Sequence, residues 1–139
     1  MDPIFVDSAF VLALINDGDQ YHAQAVRLSE QLEGRRFLIT NAVFFEVGNS
    51  LSRTHKKAAA ETIKQFLISD DVEVIYVTAA LLEKALALYQ SFLDKDWGLV
   101  DCISFVIMRE RGITQALTSD RHFVQAGFAA LMRPVTGIR

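Results

Sequence analysis

The chain has almost no cysteine and no sign of a secreted or membrane-spanning protein. Its single cysteine, Cys102, cannot form an intramolecular disulfide. No apolar run is long enough to span a bilayer, and no basic segment precedes the apolar residues at the N-terminus. We therefore expect a cytoplasmic protein with no membrane partner.

The chain also lacks an excess of positive charge. Its 14 lysines and arginines are outnumbered by 17 aspartates and glutamates, so the formal net charge is −3. This balance argues against a protein that coats nucleic acid through bulk positive charge. It remains compatible with an enzyme whose acidic site is neutralised by a metal and flanked by a local basic rim.

The markers of several catalytic and cofactor sites are missing as well. The sequence has no P-loop, no HExxH motif and no glycine-rich dinucleotide fingerprint. It has no nucleophile elbow that would support Ser-His-Asp catalysis. The histidines His22, His55 and His122 do not have the spacing of zinc ligands, and Cys102 is expected to be a core thiol.

Short apolar strands alternate with amphipathic helices along the chain. Half of the residues are hydrophobic, 51% of 139, which suits one domain covering residues 1–139 with a substantial core. We predict strands at 4–6, 37–40, 72–77 and 113–117 and a further one near Val135, with helices between them, including 23–32, 41–53, 58–68 and 81–93. Thr78 is expected to cap the start of a helix, and Gly112 is expected to cap the end of the helix that follows Asp101. Strands that are apolar throughout indicate a parallel sheet covered on both faces. The predicted fold is a single-domain α/β/α sandwich with a central parallel sheet of four or five strands.

Four acidic residues lie where predicted strands end or where the following helices begin. Asp7 closes the first strand, Asp120 follows the fourth, Glu46 lies on the helix after the second, and Asp101 opens the helix that contains Ile103, Val106 and Ile107. Ligands of open parallel sheets bind beyond the carboxyl ends of the strands. Carboxylates held together repel one another unless a cation lies among them, and Mg²⁺ or Mn²⁺ prefers such oxygen ligands. We therefore predict one acidic metal site at this edge.

Each acid also has an ordinary structural interpretation. Asp7, Asp101 and Asp120 suit the N-cap position of a helix. Glu46 is too far into its helix to be a cap, so its alternative is an exposed position on a solvated face. Asp96 is interpreted as an acid in a solvated loop rather than as a fifth member of the site.

Several polar residues accompany the acids. Ser8 and Ser119 adjoin two of them, where each hydroxyl could bond a metal-bound water or cap a helix. Asn49 and Arg53 follow Glu46 at about one and two helical turns, so we expect all three on one face that lines the site.

Taken together, these positions resemble a PIN domain, the fold of VapC-type toxin ribonucleases. The matching segments are 4–8, 40–46, 99–105 and 117–123, with a common ending at 126–128. The resemblance implies that Asp7, Glu46, Asp101 and Asp120 hold one or two Mg²⁺ or Mn²⁺ ions and that the protein cleaves RNA endonucleolytically. The sequence departs from the family pattern at 98–100, where Gly-Leu-Val stands in place of a common Ser-Leu-Thr and lacks its hydroxyl groups near Asp101.

The resemblance also implies macromolecular partners. A basic run that includes Arg53, Lys56 and Lys57 follows the Glu46 helix and is interpreted either as an RNA phosphate contact or as an ordinary solvated run. A toxin of this family would have a cognate antitoxin that places a helix in an apolar groove, and it would often form a homodimer.

Two other functions remain open at the level of sequence. A phosphoacceptor receiver domain is also α/β with acids at strand ends, but it requires paired acids at the first strand and a lysine at the last, and neither is evident. A non-catalytic PIN-like module that binds RNA or protein is the second alternative, against which the intact acids count.

Overall fold

Short parallel strands form the centre of the protein. The computed structural model describes residues 2–134, and its strands are β1 (Ile4–Val6), β2 (Phe37–Thr40), β3 (Val72–Ile75), β4 (Gln115–Leu117) and β5 (Ala129–Ala130). They make one sheet in the order β3-β2-β1-β4-β5, with every neighbouring pair parallel. The predicted parallel sheet of four or five strands is confirmed. The strand predicted near Val135 lies outside the described residues.

Helices cover both faces of this sheet. They are α1 (Ser8–Ile15), α2 (His22–Gln31), α3 (Asn41–Ser50), α4 (Lys56–Ile68), α5 (Ala79–Ser91), α6 (Leu99–Arg111) and α7 (Arg121–Gln125). Because parallel crossovers are right-handed, the first four helices lie on one face and the last three on the other. Most helix contacts agree, since α1 contacts α2, α3 and α4, whereas α6 contacts α5 and α7; α3 and α6 also contact each other.

The core is continuous on both sides of the central strand. All three residues of β1 are buried, as expected for a strand covered on both faces. On the α6 side, Phe105 packs edge to face against Trp97 and Phe123, with ring centroids 5.0 Å apart in each pair. This packing fixes α6, and with it the helix start that carries Asp101. Within residues 2–134, none of the helices has the length and apolarity required of a bilayer-spanning segment.

Local sequence signals set several helix ends. The Thr78 hydroxyl accepts a hydrogen bond from the amide of Leu81 at 3.1 Å, so it caps α5 as predicted. Gly112 ends α6 with a φ of 66°, a left-handed conformation that glycine adopts without steric cost. These two boundaries could therefore be identified from residue type alone.

The predicted end of the third helix was wrong. α3 stops at Ser50 rather than at residue 53, because Leu51 leaves the helical conformation, with a φ of −104° and a ψ of 10°. Its carbonyl oxygen accepts hydrogen bonds from the amides of Thr54 and His55, which closes a turn instead of extending the helix. Arg53 therefore lies in this turn and does not share a helical face with Glu46.

The strand order excludes the receiver-domain alternative. Receiver domains have the order 2-1-3-4-5, in which the first strand neighbours the second and the third. Here β1 lies between β2 and β4. The strands that follow β1 in sequence are added first on its β2 side and then on its β4 side, so the strand order reverses at β1. A crevice at the carboxyl ends of β1 and β4 is therefore the expected place for a ligand.

Candidate active site

Four carboxylates lie at the carboxyl edge of the sheet. Asp7 follows β1 directly, and Asp120 lies three residues after β4, the strand paired with β1. Glu46 lies on the second turn of α3, which leaves the end of β2, and Asp101 lies in the first turn of α6. Secondary structure thus brings together acids that are far apart in the sequence.

Asp7 is the most deeply buried of these acids. Its side chain belongs to a residue only 3% exposed, and burial raises its pKa from 3.8 to about 7. The hydroxyl of Thr118 donates a hydrogen bond to Asp7 Oδ2 at 2.7 Å and opposes this rise. The negative charges of Asp101 and Asp120 also contribute to the raised pKa, so these three acids interact electrostatically.

Glu46 and Asp101 respond to the same neighbours. Burial is the main cause of the raised pKa of Glu46; the adjacent Ser8 hydroxyl lowers it, and the charges of Asp101 and Asp120 raise it. Burial also raises the pKa of Asp101, the amide of Gly98 lowers it, and the charge of Asp120 raises it. Glu46 is therefore close enough to Asp101 and Asp120 to interact with their charges, and the alternative of a solvated face does not describe it.

Two of the acids meet at a histidine. Single donor atoms of Asp101, Asp120 and His122 all lie within 4.8 Å of one another. His122 Nδ1 lies 3.0 Å from Asp101 Oδ2 and 3.4 Å from Asp120 Oδ1. Asp101, Asp120 and His122 therefore form a compact group within the acidic cluster.

Helix capping explains only part of the cluster. Asp120 is a true N-cap, because its Oδ1 accepts a hydrogen bond from the amide of His122 at 2.9 Å. Asp7 occupies the N-cap position of α1, but its side chain makes no capping bond. Asp101 lies inside α6 at the third position, where its Oδ2 accepts from the amide of Gly98 at 3.1 Å. The capping alternative thus leaves Asp7 and Glu46 unexplained.

Within the described part of the chain, neither lysine nor arginine is paired with this cluster. Among residues 2–134, no lysine or arginine forms an ion pair with any of the four carboxylates. Hydroxyl, amide and imidazole groups are the donors that contact them. Several oxygen donors with raised pKa values, and with no lysine or arginine paired to them among the described residues, suit a hard divalent cation, which favours the ionised form of each carboxylate.

Comparisons with known proteins agree with this geometry. The family model described as PIN domain matches residues 4–129. The chain belongs to the PIN-domain family. It is also 35% identical over 125 residues to proteins named 23S rRNA-specific endonuclease VapC20 from two strains of Mycobacterium tuberculosis, CDC 1551 / Oshkosh and ATCC 25618 / H37Rv. These matches cover 90% of this chain and 95% of each relative.

A solved structure shows the same fold. The crystal structure of Mycobacterium tuberculosis VapC20, titled a sarcin-ricin loop cleaving toxin, matches with a TM-score of 0.83 and 34% sequence identity. The match covers 91% of this chain and 96% of that one. This PIN domain is therefore a homologue of a VapC endonuclease along nearly its whole described length.

The other polar residues predicted for the site lie in different surroundings. Ser8 adjoins Glu46, whereas Asn49 is exposed on the last turn of α3. Ser119 is partly buried beside Asp120, and its carbonyl oxygen accepts a hydrogen bond from Arg133 at 3.0 Å. Contacts of the Ser119 hydroxyl and the Asn49 side chain with the acids stay predictions.

The predicted basic residues are all exposed. Arg53 lies in the turn after α3, and Lys56 and Lys57 are the first two residues of α4. Positive charge is unfavourable at a helix N-terminus, where the backbone amides already carry partial positive charge. Their exposure fits both an RNA phosphate contact and an ordinary solvated run, so the phosphate contact stays a prediction.

Two residues of the site were missed by sequence analysis. Thr118 was treated only as the end of a strand, yet its hydroxyl contacts Asp7 and accepts from the amide of Asp120 at 3.0 Å. His122 was dismissed for lack of zinc-ligand spacing, although its place two residues after Asp120 in a helix start could have suggested a contact with the acids.

The prediction of Cys102 as a core thiol is confirmed, because it is fully buried and burial raises its pKa to about 11. Asp96 lies in an exposed loop, as predicted.

Proposed function

We propose that this PIN domain is a metal-dependent endoribonuclease that hydrolyses RNA phosphodiester bonds as the toxin of a toxin–antitoxin pair. The observation that carries the proposal is the meeting of four carboxylates from separate segments with no lysine or arginine paired to them within residues 2–134. Membership of the PIN family and the likeness to a VapC endonuclease support an RNA substrate. We propose that the domain extends over residues 1–139.

The four acids have one shared role in this proposal. Asp7, Glu46, Asp101 and Asp120 hold Mg²⁺ or Mn²⁺, and their carboxylates act together rather than as a covalent nucleophile. When bound, such a cation offsets negative charge on the phosphate and lowers the pKa of an attacking water. The Thr118 hydroxyl holds Asp7 in place, and the Ser8 hydroxyl does the same for Glu46. Ser119 and Asn49 are proposed to bond water or RNA around this centre.

The relatives indicate a class of RNA. The homologous toxin is named as specific for 23S rRNA and as cleaving the sarcin-ricin loop. We propose a structured loop of 23S rRNA as the substrate of this protein too, which would place its action in the cytoplasm. Arg53, Lys56 and Lys57 would contact phosphates of the same RNA outside the cleavage position.

Two apolar surfaces suit protein partners. A cleft of about 530 Å³ lies between the ends of α1 and α2 and one side of α4, and its apolar lining includes Leu14, Phe37 and Phe66. We propose this cleft for a helix of the antitoxin. On α5, Leu82 and Leu86 recur at helical spacing and are 42% and 44% exposed, and we propose this stripe for a homodimer contact.

The test is cleavage of a defined RNA by the purified protein. A hairpin with the sarcin–ricin loop sequence and an unstructured RNA of equal length are incubated with and without Mn²⁺. We expect a single cut in the hairpin that requires Mn²⁺, loss of this cut in Asp101→Asn, and no change in Asp96→Asn, which removes an exposed acid five residues away. Equal decay in all reactions would remove support for the enzyme. Metal-independent binding without any cut would favour the non-catalytic alternative.

A further inference from the structure

His122 contacts two of the four acids through two different groups. Its ring Nδ1 lies 3.0 Å from Asp101 Oδ2, and its backbone N–H donates to Asp120 Oδ1 at 2.9 Å. The side chain is only 17% exposed, so the ring is held against the cluster rather than free in solvent. One residue thus connects the start of α6 with the start of α7.

In the carboxylates of Asp101 and Asp120, only one of the two oxygens accepts hydrogen bonds from residues 2–134. Asp101 Oδ2 accepts from both Gly98 N–H and His122, and Asp120 Oδ1 accepts from the His122 amide. Within the described chain, Asp101 Oδ1 and Asp120 Oδ2 accept no hydrogen bond. Each carboxylate is therefore fixed through one oxygen and retains the other for a ligand.

The chemistry also settles which ring nitrogen carries the hydrogen. An ionised carboxylate can only accept hydrogen bonds, so Nδ1 must donate when Asp101 is charged. Hydrogen bonds to charged groups are shorter and stronger than neutral ones, and they restrict the rotation of the carboxylate. Partners of this kind around metal-binding side chains keep the donor atoms oriented toward the ion.

We propose that His122 is a positioning residue that orients Asp101 and Asp120 for the divalent cation. This inference rests on the proposed function, because it assumes that the two acids bind metal. His122 acts through the carboxylates: its Nδ1–H fixes Asp101, and its backbone amide fixes Asp120. The ring is not required to contact the cation or the RNA.

Two amide substitutions separate this role from others. The side-chain nitrogen of asparagine falls near the position of the histidine Nδ1, so His122→Asn retains a donor toward Asp101. The nitrogen of glutamine falls near Nε2, so His122→Gln retains only a distal donor, and His122→Ala retains none. His22→Ala is the matched control, since His22 is also partly buried and its Nδ1 lies 2.8 Å from a backbone oxygen, that of Ala13.

The measurement is Mn²⁺ binding to the RNA-free protein, followed by the electron paramagnetic resonance signal of free Mn²⁺. We expect His122→Ala and His122→Gln to bind Mn²⁺ about tenfold more weakly, the effect typical of lost partners around metal ligands. We expect His122→Asn and His22→Ala to bind as the wild type does. Thermal unfolding without metal checks that each variant is folded.

The outcomes distinguish the positioning role of His122 from the existence of the metal site. Wild-type affinity in His122→Ala would overturn the positioning role while leaving the metal site intact. Equal weakening in the Ala, Asn and Gln variants would also overturn it, because the imidazole itself would then be required. Failure of the wild type to bind Mn²⁺ would instead contradict the proposed function.

Discussion

The pKa values of acidic side chains shift in opposite directions at β3 and at the carboxyl edge of the sheet. Glu73 on β3 accepts two hydrogen bonds from Arg111, at 3.1 and 2.7 Å, and these bonds lower its pKa. At the carboxyl edge, burial and neighbouring acids raise the pKa of Asp7, Glu46 and Asp101. An arginine therefore compensates the structural acid, whereas no lysine or arginine within residues 2–134 pairs with the clustered acids.

The two arrangements have different energetic consequences. The Glu73–Arg111 pair is exposed, and pairs of this kind contribute only about 0–1 kcal/mol to stability. The acidic cluster opposes folding in the absence of metal, because ionised carboxylates must be buried close to one another. Sites that bind or catalyse commonly reduce stability in this way.

The largest effect is expected when a clustered acid loses its charge. Asp7→Asn should reduce RNA cleavage more than about 100-fold, since a metal ligand matters more than the outer partners whose loss costs 10–100-fold. Glu73→Gln removes the same charge from the paired acid and should leave cleavage unchanged. The rates of hairpin cleavage at saturating Mn²⁺ measure both. Similar rates in the two variants would remove the distinction between the two kinds of acid.

The next effect concerns pH and the stability of the metal-free protein. Because folding raises the pKa of Asp7 from 3.8 to about 7, the folded state holds this proton more tightly than the unfolded state. Asp7 therefore reduces the free energy of unfolding as pH rises from about 4 to 7, by an amount on the order of a few kcal/mol. The free energy of unfolding of Asp7→Asn should not show this decrease with pH. Urea unfolding at pH 5 and pH 8 with a chelator measures it, and parallel curves for the two proteins would contradict the prediction.

A related effect is stabilisation by metal. A cation that binds only the folded protein should raise the free energy of unfolding by about 2.7 kcal/mol at 100 times its dissociation constant. We expect this rise in the wild type and in Glu73→Gln, and little of it in Asp101→Asn. Thermal unfolding across a Mn²⁺ titration gives the comparison. A full rise in Asp101→Asn would mean that the ion binds elsewhere.

The smallest effect belongs to the paired acid. Arg111→Ala should lower the free energy of unfolding by about 1 kcal/mol or less, and added salt should reduce the difference from the wild type. Cleavage should not change, because Arg111 is not among the residues around the acids. Denaturant unfolding at low and high salt, with the cleavage rate alongside, checks both statements. A loss of cleavage would show that the two regions are coupled.

Much of this fold follows from signals close together in the sequence. Apolar runs predicted the first four strands but not β5, Thr78 and Gly112 predicted helix ends, and acids after strands predicted one acidic edge. The contacts that complete the site join distant residues, such as Thr118 with Asp7 and His122 with Asp101. Which of these residues meet depends on strand order and helix packing, and a local sequence pattern does not predict either. The end of α3 was also missed, because Leu51 leaves the helical conformation although no glycine or proline marks the change between residues 50 and 55.

The central statement is that Asp7, Glu46, Asp101 and Asp120 together hold a divalent cation. Crystals of the wild-type protein soaked in Mn²⁺ and measured for anomalous scattering test it most directly. We expect a Mn²⁺ peak within about 2.0–2.6 Å of oxygens from these carboxylates, the range of hard-cation contacts. A fully soaked crystal with no peak between them, or with a peak bound only elsewhere, would contradict the account.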